Sequence, residues 1–431
     1  MRLIRWTALL VVGLALITSS AAAQEATKMD PLLKLLVEKG VVSQQEALAL
    51  QREYAGRQAA EAEQQHAQTV KVAKEAVSEL PPAKVELPKA LQGLKIGMLA
   101  YISYQDGTKY SGVPGETSDY SRFTLKRGYF DVNKSITSSL DARITTDLHQ
   151  DSTGDWKPRL KYVYGKFKWA GSGVVQKPYV EFGLAHMPWL DFEEHNNRYR
   201  MQDPMFMERN GLFNSADVGV MFGGNFGKDL PADYKKNVNS HYAGSYGSFQ
   251  VGVYNGNGYH AAEANTNKVL EGRVSLRPLP GSLPGLQFSA FGINGKGNTA
   301  AEPDWNLFAF MTSYESPRWV ATAQYFSGTG NQSGSAIDST GASVDRKGYS
   351  LFTEVRFGQN AEYSFIGRYD HFDPNSSGPS TTDDIQKRWI AGVAWQFAHG
   401  NYWLLDYESL SHDIPSIPNE NRLQLTLQLS Y

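Results

Sequence analysis

The chain has 431 residues, no cysteine, a formal net charge of −2 and 12% aromatic residues. The absence of cysteine excludes a disulfide framework, thiolate metal sites and thiol catalysis. The near-neutral charge, without a basic run, argues against a nucleic-acid partner, and a chain of this length can hold roughly two or three soluble domains or one large barrel.

Residues 1–23 have the composition of a secretory signal peptide. Two arginines near the start precede an apolar run over residues 8–17, and three alanines lie directly before Gln24. This pattern predicts export and cleavage before Gln24. No later stretch reaches the roughly 18 consecutive apolar residues that a transmembrane helix needs, so we expect any membrane span to consist of strands.

Residues 24–92 are predicted to be helical. Asp30 can cap a helix that starts at Pro31 and ends near Gly40, and Ser43 and Glu46 form a capping box that opens a second helix. A seam with spacings of four and three follows, which is the pattern of a weak coiled coil: Ala55, Ala59, Ala62, His66, Thr69, Ala73, Ala76 and Leu80. Two interpretations stay open, a periplasmic oligomerisation stalk or a solvated spacer, because alanine seams bury little apolar area.

From residue 93 to residue 431 the sequence consists of segments with period-two alternation, separated by Gly, Asn, Ser, Asp and Pro. We predict about sixteen strands, at 93–106, 121–134, 136–149, 158–170, 178–188, 216–227, 243–255, 268–278, 285–295, 304–315, 318–328, 347–358, 361–372, 386–398, 401–411 and 420–431. Tight turns are predicted near Asn133, Glu315, Gly358 and His399, with long polar loops between them. Short turns on one side and long loops on the other are typical of an antiparallel outer-membrane β-barrel.

The last eleven residues, 421–431, alternate strictly. Leucines and Tyr431 occupy one face and polar residues the other. A strand of this length can cross a bilayer at a tilt, with its aromatic end at the interface. The segment resembles the closing strand of bacterial outer-membrane barrels, in which Leu427, Leu429 and Tyr431 would belong to the signal that the barrel-assembly machinery reads. The alternative is the edge strand of a soluble sandwich.

Charged residues on the predicted strands share one face. An arginine that faces lipid near the midplane would cost about 2 to 4 kcal/mol, so the charged face is expected to point into a water-filled lumen. The wall residues predicted to face that lumen are Asp141, Arg143, Arg273, Arg277, Glu354, Arg356, Arg368 and Asp370.

The segment from Asp191 to Ser215 combines many charges with many large apolar side chains. Its predicted functional residues are Glu193, Glu194, Arg198, Arg200, Asp203, Glu208 and Arg209. A loop exposed only to solvent seldom carries so many apolar groups, so we expect this loop to fold back against the inner wall and narrow the pore. The alternative is an outward-projecting loop that binds a partner.

Several segments resemble the phosphate-selective porins O and P. The matching pieces are F-T-L-K-R-G-Y-F-D-V (residues 123–132), F-G-L-A-H-M-P-W (182–189), M-E-R (207–209), A-D-V-G-V-M-F-G-G (216–224) and G-V-Y-N-G (252–256). The resemblance covers most of the chain from residue 93 onward. It implies a sixteen-stranded barrel that assembles as a homotrimer, with an inward-folded third loop as its constriction.

The chain departs from this family where phosphate would be selected. His186 stands where the family commonly has a lysine, and in the segment 191–215 five carboxylates outnumber three arginines, with no lysine. A phosphate filter needs a surplus of cationic or N–H donors at its narrowest point. The residues therefore predict a porin for small, charged solutes without naming the solute or the sign of its charge.

No catalytic motif is present: the chain lacks H-E-x-x-H, G-x-S-x-G and a Walker A sequence. We therefore predict a non-enzymatic protein without metal or cofactor. Its expected place is the outer membrane of a Gram-negative bacterium, in contact with outer-membrane lipid, with the helical segment in the periplasm. Two alternatives stay open, a barrel sheath around a partner such as a multihaem cytochrome, and an outer-membrane hydrolase.

Overall fold

The computed structural model describes residues 30–79, 88, 91–378 and 384–431. The predicted signal peptide, with its cleavage site before Gln24, lies outside the described residues. The side chains of the seam positions Ala73, Ala76 and Leu80 also lie outside them.

Two helices precede the barrel and begin where the capping residues predict. In α1 (Pro31–Glu38) the Asp30 carboxylate accepts the Leu32 N–H at 2.8 Å. Before α2 (Gln44–Glu79), the Glu46 carboxylate accepts the Ser43 N–H at 2.8 Å and the Ser43 hydroxyl accepts the Glu46 N–H at 3.3 Å. With 36 residues, α2 is about 54 Å long.

No helix among the described residues is long and apolar enough to span a membrane.

Residues 94–430 form a closed antiparallel barrel in which β1 pairs with both β2 and β16. The predicted fold class is confirmed. The strands are β1 (Leu94–Tyr110), β2 (Thr117–Ser135), β3 (Leu140–Gln150), β4 (Trp156–Lys168), β5 (Val175–His186), β6 (Ala216–Phe226), β7 (Gly247–Tyr254), β8 (Val269–Leu276), β9 (Gln287–Lys296), β10 (Asp304–Glu315), β11 (Trp319–Thr329), β12 (Asp345–Phe357), β13 (Tyr363–Asp373), β14 (Gln386–Ala398), β15 (Asn401–His412) and β16 (Glu420–Ser430). We call the end where β1 starts and β16 ends the terminal rim, and the opposite end the loop rim.

One predicted turn is wrong. Asn133 is not at a turn but inside β2, paired with Lys95 and Arg143, and the turn follows at residues 136–139. The β6–β7 connection, residues 227–246, is long although it lies on the rim of short turns. Several polar residues beyond the predicted strand ends are paired in the sheet, as Thr108 is with Asp119, because neighbouring strands supply main-chain hydrogen-bond partners whatever the side chain.

The two faces of each strand differ in burial. In β8, Glu271 and Arg273 are buried inside the barrel, whereas Leu270 and Val274 are about half exposed on its outer surface. In β16 the outward leucines alternate with buried Gln424 in the same way. The outer surface is therefore apolar and the inner surface polar, which is the arrangement that a lipid environment requires.

Candidate pore constriction

Loop L3, residues 187–215, connects β5 to β6 and is tied to the wall where it starts. The Met187 N–H donates to the Ser215 carbonyl at 3.0 Å, which closes the base of the loop. The Tyr254 hydroxyl donates to the His186 carbonyl at 2.6 Å. Arg273 Nε donates to the Pro188 carbonyl at 3.0 Å, so the first turn of the loop is fixed to β7 and β8.

The apolar side chains of L3 pack against inward-facing aromatic residues. L3 contains two short helices, α3 (Leu190–Asn196) and α4 (Phe206–Arg209). The rings of Trp189 and Phe213 lie 5.2 Å and 5.5 Å from that of Phe291 on β9, and the Phe206 ring lies 5.7 Å from that of Phe326 on β11. This packing explains why a loop carries so many large apolar residues.

Polar contacts join L3 to β2, three strands away from β5, and to β13 on the opposite side of the barrel. Lys126 on β2 donates to the carbonyls of Met201 and Gln202 at 2.8 Å and 2.9 Å, and Arg368 on β13 donates to the Pro204 carbonyl at 2.9 Å. Because β13 lies opposite β5 in the closed strand order, L3 crosses the interior of the barrel. The loop therefore folds inward, as its composition predicts.

Two predicted loop carboxylates, Glu194 and Glu208, share one cation. Arg200 donates to Glu194 at 2.8 Å and also to Glu208, and its own side chain is only 5% exposed. A third carboxylate, Glu193, accepts hydrogen bonds from the Trp189 indole at 2.9 Å and from a wall amide. These groups hold the loop in shape, and only Glu194 keeps an exposed edge, at 31%.

The remaining loop charges bind the wall. Arg209 lies between Asp203, at 2.7 Å, and Glu408 of β15, at 3.2 Å. Arg422 of β16 reaches both Asp203 and Glu408 at 2.8 Å. Arg198 binds Glu354, so each of the three loop arginines is paired with a carboxylate. A charge held this way acts on a passing ion less than a free one would, because its partner cancels part of its field.

Most of the predicted wall residues lie beneath L3. Arg273 is 1% exposed and lies 4.2 Å from the centroid of the Phe192 ring in L3. Arg277 is buried; it donates to the Pro284 carbonyl of the β8–β9 connection and, at 3.5 Å, to the Tyr242 carbonyl of the β6–β7 connection. The other wall residues beneath the loop pair with a neighbour on their own strand. Arg356 binds Glu354 on β12 at 2.8 Å, and Arg368 binds Asp370 on β13 at 2.7 Å.

Asp141 and Arg143 lie on a different part of the wall, on β3. Arg143 binds Asp131 of β2 at 2.8 Å and keeps 25% of its side chain exposed. Asp141 binds Lys168 of β4 near the terminal rim.

Arg127 and Lys161 also face the lumen from this wall, but strict alternation along the strand does not predict that they do. The registers of β2 with β1 and of β4 with β3 each shift by one residue, with Lys126 and Lys161 as the extra residues. Each bulge turns consecutive side chains to the inside, which the strict period of two forbids. Consecutive Lys126 and Arg127 within a membrane strand are the signal that could have revealed a bulge, because one of them would otherwise face lipid.

Four inward cations of β2, β3 and β4 lie over tyrosine rings, and we call them the cationic wall: Arg127, Arg143, Arg159 and Lys161. Each lies over a tyrosine ring at 4.3 Å to 5.0 Å, an arrangement that orients the cation without cancelling its charge. Arg143 and Arg159 are paired with carboxylates. Among the described residues no carboxylate lies within ion-pair distance of Arg127 or Lys161.

The last strand closes the barrel. Leu427 pairs with Trp403 of β15, Leu429 pairs with Ala100 of β1, and the Tyr431 N–H donates to the Met98 carbonyl at 3.3 Å. Tyr431 is 73% exposed on the outer side. Their role as an assembly signal stays a prediction.

The fold has counterparts among solved structures. OmpF of Salmonella typhi, in complex with daunomycin, matches with a TM-score of 0.55 and 10% identity, over 78% of this chain and 97% of that chain. An anion-selective porin from Comamonas acidovorans matches with a TM-score of 0.54 and 10% identity, over 78% of this chain and 99% of that one. At this identity the likeness shows the fold alone, and the chain has the barrel fold of outer-membrane porins.

No protein-family model and no curated protein matches the chain. The resemblance to the phosphate-selective porins therefore stays a prediction.

Proposed function

We propose that the protein is an outer-membrane porin, a water-filled channel through which small charged solutes diffuse passively, with L3 as its constriction. The observation that carries this proposal is that L3 crosses the interior of a closed barrel that has a polar inner and an apolar outer surface. An interior crossed by a folded loop also weighs against a sheath around a threaded cytochrome.

The charges beside the constriction favour a weak preference for anions. The cationic wall contributes Arg127 and Lys161 without ion-pair partners among the described residues, whereas Glu194 and Glu208 of L3 share the single cation Arg200, which leaves one net negative charge against these two positive charges. In a narrow passage with low-dielectric walls, such an imbalance acts more strongly on an ion than it would in bulk water. We assign no particular anion.

Conductance in a planar bilayer tests the proposal. The purified, folded protein should form channels, and the reversal potential across a salt gradient should lie modestly on the anion side. The heat-unfolded protein is the control for leakage. A folded preparation that inserts without conducting would contradict the porin proposal, and a reversal potential on the cation side would contradict only the anion preference.

Location and assembly belong to the same proposal. We infer a Gram-negative outer membrane, insertion by the barrel-assembly machinery, a homotrimer, and α1 and α2 in the periplasm. The support is the apolar outer surface, the closing strand and the exposed seam of α2. Membrane fractionation tests the location, and native mass spectrometry in detergent tests the homotrimer.

A further inference from the structure

The β6–β7 connection, residues 227–246, is a folded element and not an open turn. It contains helix α5 (Ala232–Asn237), and the Leu230 N–H donates to the Ala243 carbonyl at 2.8 Å, which closes the connection on itself. Asp229 accepts from Lys235 at 2.7 Å and from Lys177 of β5 at 2.6 Å. With Leu230 buried beneath these contacts, the connection has a defined shape at the terminal rim.

Tyr242 of this connection reaches L3. Its hydroxyl donates to the Asp191 carboxylate, and its ring lies 5.3 Å from that of Phe192, both on α3. Tyr242 has a φ of 48°, a left-handed conformation that is unfavourable for a bulky residue. Such a conformation persists only where surrounding contacts impose it, and here Arg273 lies 4.8 Å from the ring.

A second pair of contacts joins the connection to the C-terminal end of α3. The rings of His241 and His195 are 3.7 Å apart, and the Asn239 amide donates to the His195 carbonyl at 3.0 Å. The same amide donates to Glu315 of β10 at 2.9 Å. Asn239 thus connects the barrel wall, the connection and L3.

The connection and L3 enclose a shared space. A cavity of about 900 Å³ lies between them and the wall of β4 and β5, lined among others by Asp191, His241, Tyr242 and Lys166. A solute that passes L3 on this side reaches the cavity before the terminal rim.

We propose that the β6–β7 connection is a second constriction element, which enters from the terminal rim and holds α3 of L3 in place, and that protonation of His241, whose ring lies against that of His195 in α3, releases this hold. Asn239, His241 and Tyr242 are positioning residues: they act on the solute through L3. This inference rests on the proposed channel function and deepens it.

The direction of the pH effect follows from the surroundings of His241. Burial and the charge of His195 lower the pKa of His241 to about 4, and Asp191 opposes this in part. A released, solvated histidine titrates near 6.5, so the released state takes up the proton more readily. Acidification from about pH 6.5 to about pH 4 therefore favours release, with no further effect below that range. The charged and titratable groups that face this junction or line the shared cavity are Asp191 and His195 of L3, Lys177, Glu181 and His186 of β5, Lys166 and Lys168 of β4, Arg273 of β8, Arg277 beyond β8, Glu315 of β10, and Asp229 and Lys235 of the connection itself.

Bilayer recordings on the full chain test the proposal. The double variant Tyr242→Phe with Asn239→Ala should increase open-channel current noise at neutral pH. The variant removes two hydrogen bonds to α3, the one from the Tyr242 hydroxyl to Asp191 and the one from the Asn239 amide to the His195 carbonyl. Tyr246→Phe is the matched control, since Tyr246 lies in the same connection but is 57% exposed. The current noise of the parent should rise as the pH falls from 6.5 to 4. His241→Phe should lose this pH dependence. The control His399→Phe, in the β14–β15 turn, should keep it.

Cross-linking provides a test that does not depend on weakening the fold. Because the chain has no cysteine, His195→Cys with His241→Cys introduces the only two thiols. A short bifunctional thiol reagent should join them, and because both histidines and their ring contact are gone, the joined channel should be quieter than the unjoined variant at neutral pH and at pH 4 alike. A conducting parent with unchanged noise in Tyr242→Phe/Asn239→Ala, or a joined channel that is no quieter than the unjoined variant, would overturn this inference alone. A folded parent that does not conduct would overturn the channel function itself.

Discussion

Arg198 in L3 and Glu354 on β12 form an ion pair, with Arg198 Nε 3.1 Å from the carboxylate, that joins the loop to the far wall of the barrel. Glu354 is fully buried and also accepts from Tyr199 at 2.9 Å and from Arg356 at 2.8 Å. One carboxylate therefore holds two consecutive residues of the loop. The contact makes the position of L3 depend on a strand that is distant from it in sequence.

Glu354→Gln should loosen L3 and destabilise the barrel. The change leaves Arg198 and Arg356 with a neutral partner, and the loss should be about 1 to 3 kcal/mol, because hydrogen bonds to the amide oxygen replace only part of the interaction. Chemical denaturation in detergent, followed by tryptophan fluorescence, measures the difference. Glu116→Gln, at an exposed site in the β1–β2 loop, is the control and should be neutral. Equal stability of both variants would show that the pair does not hold the loop.

Replacing the three loop arginines, Arg198, Arg200 and Arg209, by alanine should shift the reversal potential toward cations. Each removal leaves carboxylates such as Glu194 and Glu208 uncompensated beside the passage. Replacing the loop carboxylates by Gln or Asn should shift it toward anions. Both shifts should shrink at 1 M salt, since the screening length falls from about 10 Å at 0.1 M to about 3 Å. If both sets of variants keep the parent's reversal potential at low salt, the charges of L3 do not set the ion selectivity.

The cationic wall should set the sign of selectivity. Arg127→Gln with Lys161→Gln removes two positive charges that have no carboxylate partner among the described residues, so the reversal potential should move toward cations. The Gln side chains keep the passage polar. Lys71→Ala removes a charge from helix α2, which contributes no residue to the barrel wall, and is expected to leave the potential as it is. If the wall variant behaves like this control, the wall does not act on the passing ion.

The outer face of β16 should be necessary for assembly. Leu427→Asp with Leu429→Asp places two carboxylates on the surface that faces lipid, and deletion of Tyr431 removes the terminal aromatic residue. Both variants should remain in the periplasm as unassembled chain, which fractionation and heat-modifiable gel mobility detect. Gln428→Asp, on the inward face of the same strand, should still assemble. Normal assembly of the leucine variant would show that this face does not contact lipid.

Deletion of residues 26–80 should leave a barrel that inserts and conducts, because every strand keeps both of its pairing partners. If α2 is an oligomerisation stalk, the shortened protein should dissociate more readily in mild detergent. Native mass spectrometry of the two forms measures this. An equally stable oligomer would assign the subunit contacts to the barrel and support the solvated spacer.

The sequence alone determined the fold class, because the features that specify it are local. Alternation along each strand, as in β16, decides which face lies in lipid, and caps such as Asp30 and Ser43 decide where helices begin. The composition of L3 led us to expect an inward path, since apolar residues in a loop need a surface to cover, but it left an outward-projecting loop open as the alternative.

The tertiary structure decided which charges remain available inside the barrel. The bulges at Lys126 and Lys161 depend on the register with neighbouring strands, which alternation within one strand does not contain. Arg198 and Glu354 are 156 positions apart, and Tyr242 meets Asp191 only after the β6–β7 connection has folded against L3. Such pairings arise from closure of the barrel, because closure brings together side chains that no local pattern relates.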